Sequence, residues 1–198
     1  MKSGLPSRGR RMFLLQALAA CGAAACGSRA PAETRVVELP NPVKVTIENF
    51  DASGKSQGAV EVLSVVKSDA DWQKQLSPLA FNVTRREGTE FPYSGSLNAN
   101  HASGLYRCIC CDTALFDSQT KFESGTGWPS FWQPISKLNV RETPDESLGM
   151  RRVAVSCTRC SAHLGHVFDD GPRPTGLRYC MNSVALAFVP RAGAAAGG

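Results

Sequence analysis

The sequence predicts a mainly β protein, and three observations carry that reading. Apolar residues alternate with a period of two at Val43, Val45 and Ile47, at Val60 and Val62, at Val153, Val155 and Cys157, and along the even positions from Arg178 to Phe188. The 18 glycines and 12 prolines, with Ser- and Asn-rich stretches beyond Gly88, punctuate the chain as turns and loops do. Only two windows carry helical signals, and both are short.

A chain of 198 residues has room for one good core with a tail at each end. Residues 1–26 read as an export signal: basic residues from Lys2 to Arg11, the apolar run MFLLQALAA, then small residues. That run is too short to span a membrane. Arg10-Arg11-Met12-Phe13-Leu14 resembles a twin-arginine motif, and Leu18-Ala19-Ala20-Cys21 resembles a lipobox, with Cys26 a second candidate for lipid attachment and membrane anchoring. The expected address is a bacterial cell envelope, exported and periplasmic or lipid-anchored. Without the leader, Lys plus Arg falls from 22 to 18 against 17 acidic residues, so the net charge is +1 rather than +5. No nucleic-acid partner is called for.

Residues 27–64 read as a small, Pro-containing tether followed by a hairpin, with DASGKSQG as its turn. The hairpin is expected to add an edge to the sheet. Ser68-Asp69-Ala70-Asp71 has the form of a helix start, and Ser77-Pro78 opens a second helix that Gly88 stops. Trp72 is expected in the core. The principal domain is taken as 65–190, with 191–198 a disordered tail.

The first reactive cluster is Cys108-Ile109-Cys110-Cys111, which follows a strand at Tyr106, and the second is Cys157-Thr158-Arg159-Cys160. Two Cys-x-x-Cys knuckles supply the four thiolates of a tetrahedral structural zinc (Zn2+) site: Cys108, Cys111, Cys157 and Cys160. Cys110 is left over. Between the knuckles, KFESGTGWPSFW surrounds two tryptophans with glycines and a proline, which reads as a binding loop with an indole wall.

The densest stretch runs from Cys157 to Ser183, CTRCSAHLGHVFDDGPRPTGLRYCMNS. Its even positions from Arg178 onward read as one strand, in which Arg178 and Asn182 flank Cys180 at about 6.6 Å along the same face. A guanidinium beside a thiol favours the thiolate, the nucleophilic form. His163 and His166 are acid–base candidates. Asp169 and Asp170 read as turn residues or partners of the site.

Residues from about Val65 to Val189 resemble the methionine sulfoxide reductase B family. The resemblance rests on Tyr106-x-Cys108-x-x-Cys111 with Leu115-Phe116, on Ser124-Gly-Thr-Gly-Trp-Pro-Ser-Phe131, and on Cys157-x-x-Cys160. It rests also on His163-Leu-Gly-His166-Val-Phe168 with Asp170-Gly-Pro172, and on Arg178-Tyr-Cys-Met-Asn-Ser183. It implies a fold of two antiparallel β-sheets with a few short peripheral helices, a Cys180 nucleophile, and a four-cysteine zinc site remote from it. It implies that Trp128 walls the pocket for the substrate methyl, with Phe168 a further substrate-binding residue, while His163, His166, Arg178 and Asn182 surround the sulfoxide. The expected substrates are oxidised methionine residues in proteins, of R configuration at sulfur, and no organic cofactor is required. Thr126 stands where many family members carry a recycling cysteine. The sulfenic acid on Cys180 is therefore expected to be reduced by a thioredoxin-like or other envelope thiol reductant acting on a monomer. Two rival classes are a non-catalytic zinc-knuckle binding module, which leaves Cys180 and Trp128 unexplained, and a thiol-disulfide oxidoreductase using a Cys-x-x-Cys pair, which metal analysis separates because a redox pair free to cycle would not be saturated with zinc.

Overall fold

The computed structural model describes residues 39–146 and 152–191. The leader, the tether and residues 192–198 of the tail lie outside the described residues. Among the described residues, no helix is long and apolar enough to cross a membrane.

The chain begins with strands β1 (Lys44–Phe50) and β2 (Ser56–Leu63), followed by helices α1 (Asp69–Gln75) and α2 (Pro78–Arg86). Strands β3 (Gly104–Cys108) and β4 (Ala114–Asp117) come next, then β5 (Lys121–Phe122), β6 (Ser130–Phe131), β7 (Val140–Asp145), β8 (Arg152–Cys157), β9 (His163–Phe168), β10 (Arg178–Met181) and β11 (Leu186–Pro190). They make a six-stranded sheet ordered β5-β6-β10-β9-β8-β7, a three-stranded sheet ordered β11-β3-β4, and the β1–β2 hairpin. Every pairing is antiparallel. The architecture is the mainly β, two-sheet one expected, with two short helices.

The alternation in the sequence is the cause of the layering. Tyr179, Met181, Val155 and Phe131 turn to one side of the large sheet and are almost fully buried. They meet Phe116 and Tyr106 of the small sheet, with Phe116 stacked on Phe131 at 4.5 Å and Tyr106 edge-on to it at 4.9 Å between ring centroids. Burying a side chain of this size is worth about 1.5–3 kcal/mol.

The helices form where the caps predict. Ser68 accepts from the Asp71 N–H, Ser77 accepts from the Ala80 N–H, and Pro78 occupies the first turn of α2. The left-handed residue that ends α2 is Glu87 at φ 57°, one position before the expected glycine. Trp72 is buried as expected, with the cations of Lys67 and Arg85 each 4.9 Å from its ring centroid.

Two expectations are corrected. The run from Arg178 to Phe188 is two strands, β10 in the large sheet and β11 in the small one, joined through a 3-10 turn at Ser183–Ala185. β10 buries its odd positions, Tyr179 and Met181, whereas β11 buries only the even-numbered Leu186, so the apolar alternation in the sequence runs through the break without revealing the change of sheet. The hairpin adds no edge to either sheet; β1 and β2 pair only with each other. It is held by side chains instead: the Asn139 amide accepts from the Glu48 N–H at 2.7 Å and donates to the Glu48 carbonyl at 2.8 Å, and Ile47 is buried.

Candidate active site

The two knuckles close on each other. The Sγ atoms of Cys108, Cys111, Cys157 and Cys160 lie within 4.8 Å of one another, with Cys108–Cys160 at 3.6 Å and Cys111–Cys157 at 3.5 Å. Metal–sulfur bonds of about 2.3 Å in a tetrahedron give sulfur–sulfur edges of about 3.8 Å, so the four thiols fit a metal ion with little adjustment. Each knuckle turns the same way, with Asp112 at φ 61° and Ser161 at φ 55° directly after its second cysteine. The helices staple both turns: Gln75 donates to the Cys110 carbonyl at 2.8 Å and Arg85 to the Cys160 carbonyl at 2.9 Å. Cys110 is buried in the first knuckle against Cys108, Cys160 and Thr84.

Cys180 lies on the other face of the large sheet. Opposed residues form a row across it: Thr143 on β7, Ala154 on β8, His166 on β9, Cys180 on β10, Ser130 on β6 and Phe122 on β5. Side chains in one such row project from the same face with Cβ atoms about 4.5–5.5 Å apart, which sets His166 and Ser130 on either side of Cys180. Cys157 shares its parity with Val155, on the core side. Cys180 and the four clustered thiols are therefore separated by the sheet itself.

The two histidines share a site because the strand is irregular. At positions three apart on a regular strand they would project to opposite faces. The pairing of Val155 with Gly165 and of Ser156 with His163 leaves Leu164 as the extra residue of a bulge, and the rings meet edge-on at 5.3 Å between centroids. Gly165 is the only residue type that fits beside β10, because a Cβ there would collide with the Cys180 carbonyl oxygen.

The histidines differ electrostatically. His166 Nε2 lies 2.8 Å from Asp145 Oδ2, and the same carboxylate oxygen accepts from Arg152 at 2.8 Å. His163 is buried, its Nε2 makes no hydrogen bond, and desolvation with the neighbouring His166 charge lowers its pKa to about 4. Both line a polar cavity of about 280 Å³ with Thr143, Asp145 and Ala154.

Arg178 is committed to Asp170, donating from Nε and Nη2 at 2.8 Å each, and its guanidinium stacks on Phe168 at 4.3 Å. Its field lowers the Cys180 pKa, as do the Thr126 and Ser130 hydroxyls, but burial outweighs all three and the thiol titrates above its ordinary range. This corrects the expectation of a resting thiolate: the guanidinium shares its charge with a carboxylate, and desolvation dominates.

Thr126 Oγ1 is 3.7 Å from Cys180 Sγ, within a hydroxyl chain in which Ser124 bonds Thr126 at 2.8 Å and Ser130 at 2.7 Å. Trp128 is half-buried and its indole N–H donates to the Glu90 carbonyl at 3.2 Å. Asn182 is buried; its amide accepts from the Glu90 N–H and donates to the Leu164 carbonyl, 3.0 Å each. With both ends bonded to backbone, it positions the end of β10.

The SelR domain model matches residues 76–190. The chain belongs to the methionine sulfoxide reductase B family. Proteins named "Peptide methionine sulfoxide reductase MsrB" from Pseudomonas putida (strain W619) and Pseudomonas fluorescens (strain Pf0-1) are 56% and 55% identical over 128 and 127 residues, covering 65% and 64% of this chain and 96% and 97% of theirs. One of that name from Pseudomonas aeruginosa (strain UCBPP-PA14) is 55% identical over 120 residues, 61% of this chain and 91% of its own. The β1–β2 hairpin lies outside the SelR match.

Three residues of this family member's site carried no legible signal in the sequence: Asp145, Ser130 and Glu90. Glu90 is almost fully buried, and its two carboxylate oxygens accept from the Ser183 N–H at 2.7 Å and the Val184 N–H at 3.0 Å. It closes the turn directly after Cys180. Ser130 lies within the Ser124–Phe131 motif, and its pairing with Cys180 follows only from the strand order.

Proposed function

We propose that this protein reduces the R epimer of methionine sulfoxide in polypeptides, with Cys180 as the nucleophile. The observation that carries the reading is the placement of Cys180, in a chain of this family, between His166 and Ser130 and against Thr126 on the open face of the large sheet. The Cys180 sulfur attacks the sulfoxide sulfur, and oxygen passes to the cysteine. A thiol and a sulfoxide become a sulfenic acid and a thioether.

Sulfoxide oxygen leaves only as it is protonated, which assigns a proton donor. His166 suits that role better than His163. Its ring is oriented by the hydrogen bond to the Asp145 carboxylate and it lies next to Cys180 across the β9–β10 pairing, whereas His163 is held neutral by burial. Arg178 and the hydroxyls of Thr126 and Ser130 support the anionic sulfur as it forms. Trp128 supplies the wall for the substrate methyl.

The sulfenic acid is then reduced by two equivalents of an external thiol, releasing water and a disulfide. Thr126 offers no sulfur at the position beside Cys180, which supports direct attack by a thioredoxin-like or other thiol reductant. The four-cysteine cluster takes a structural zinc ion, the ion this donor set suits best. Since both Cys-x-x-Cys pairs join in that one cluster, neither stands apart as a redox dithiol. The basic, apolar N-terminus supports work in the cell envelope.

The decisive experiment compares wild type and Cys180→Ser on a peptide carrying either sulfoxide epimer, with dithiothreitol. Turnover of the R epimer alone, abolished by the substitution, is expected. Equal turnover of both epimers, or undiminished activity of the variant, would overturn the reading.

A further inference from the structure

The segment from Glu90 to Ser94 has a use that the reaction at Cys180 does not by itself explain. Among the described residues, Phe91 and Tyr93 are the most exposed large apolar side chains, at 84% and 67%. The backbone that carries this pair is held by hydrogen bonds. Phe91, Pro92, Tyr93 and Ser94 form a turn closed by the Ser94 N–H on the Phe91 carbonyl at 3.2 Å, with Tyr93 at φ 62°. That position favours glycine, and a bulky aromatic there is strained.

The turn is pinned from both sides of Cys180. The Tyr93 N–H donates to the Gly127 carbonyl at 2.7 Å and its hydroxyl to the Gly125 carbonyl at 2.6 Å, which brackets Thr126. Gly127 admits this contact because a Cβ would crowd Pro92 and Tyr93. Glu90 ties the other end to Asn182, Ser183 and Val184, directly after Cys180, and its carbonyl takes the Trp128 indole N–H. From Phe91 to Asn100 there is no charged residue.

We infer that Phe91 and Tyr93 extend the Trp128 wall into an aromatic docking rim for the apolar residues that flank an oxidised methionine in an unfolded polypeptide. The inference rests on the reductase reading of Cys180. Its occupant follows from continuity: a chain whose sulfoxide reaches Cys180 must cross the segments bracketing that thiol. It follows also from chemistry, because methionines sit mostly in apolar interiors, and their neighbours become available only when the chain is unfolded. An uncharged aromatic rim accepts such neighbours and disfavours charged ones.

The test measures kcat/KM for three R-sulfoxide substrates: N-acetylmethionine sulfoxide amide, a peptide with leucines on both sides of the oxidised methionine, and the same peptide with serines. Wild type is expected to favour the leucine peptide. Phe91→Ser should lose about tenfold on that peptide through KM, equivalent to about 1.4 kcal/mol. It should match wild type on the amide and in thermal midpoint, and Phe91→Trp should restore the preference. Equal rates of wild type and Phe91→Ser on the leucine peptide would overturn the rim, as would an equal loss on all three substrates. A wild type inactive on every substrate would instead overturn the reductase reading and the rim with it.

Discussion

Replacing Glu90 by Gln tests the idea that a buried carboxylate holds the turn after the nucleophile. Both carboxylate oxygens accept backbone N–H bonds from Ser183 and Val184, and the side chain is 2% exposed. Glutamine keeps the shape and one acceptor but presents an NH2 group to the other N–H. One charge-assisted bond, worth about 1.5–3 kcal/mol, is lost, and a buried N–H is left unpaired at a cost of about 1–3 kcal/mol. Relief from burying a charge offsets part of this, so the expected destabilisation is about 3 kcal/mol. For a domain of this size that lowers the thermal midpoint by about 6–12 °C. The assay is thermal unfolding followed by circular dichroism, paired with single-turnover reduction of a sulfoxide peptide without recycling thiol. The turnover rate should fall too, because Ser183 and Val184 fix the end of the strand that carries Cys180. A midpoint within about 2 °C of wild type would refute the argument.

Further expectations concern the thiols and the histidines. Because burial raises the Cys180 pKa, the thiol predominates at neutral pH, and alkylation of Cys180 by iodoacetamide should accelerate steadily as pH rises past the range of free cysteine; a plateau reached below neutral pH would contradict this. Thr126→Cys places a sulfur where Oγ1 now lies 3.7 Å from Cys180 Sγ, and one turnover without reductant should give an intramolecular disulfide by mass spectrometry where the native protein gives a trappable sulfenic acid. His163, with its pKa lowered from 6.5 to about 4, takes up its proton more readily when unfolded. The folded state should therefore lose about 3 kcal/mol as pH falls from about 6.5 to 4, and His163→Gln should flatten that part of the stability profile. Cys108→Ser should lose the bound metal, measured by elemental analysis, and unfold, since metal binding and folding share one free energy; a folded, active, metal-free variant would contradict it.

What the sequence determined is what short spans of chain decide. The two Cys-x-x-Cys turns, the serine caps of α1 and α2, and the alternation that puts Arg178 and Cys180 on one face of β10 depend on residues within a turn or two of each other. Tertiary structure decided the rest. Leu164 bulges because β9 must register against both β8 and β10, and only that bulge turns His163 and His166 to one face. Glu90 meets Ser183 across 93 residues of sequence, and Asp145 meets His166 across 21. Neither pairing follows from a local pattern, since a lone carboxylate in a loop or at a strand end looks the same whether it faces water or a buried amide. The break after β10 and the raised pKa of Cys180 have the same origin. Alternation records which side of a strand is apolar but not which sheet it joins, and adjacency records which charges are near but not how far water is excluded.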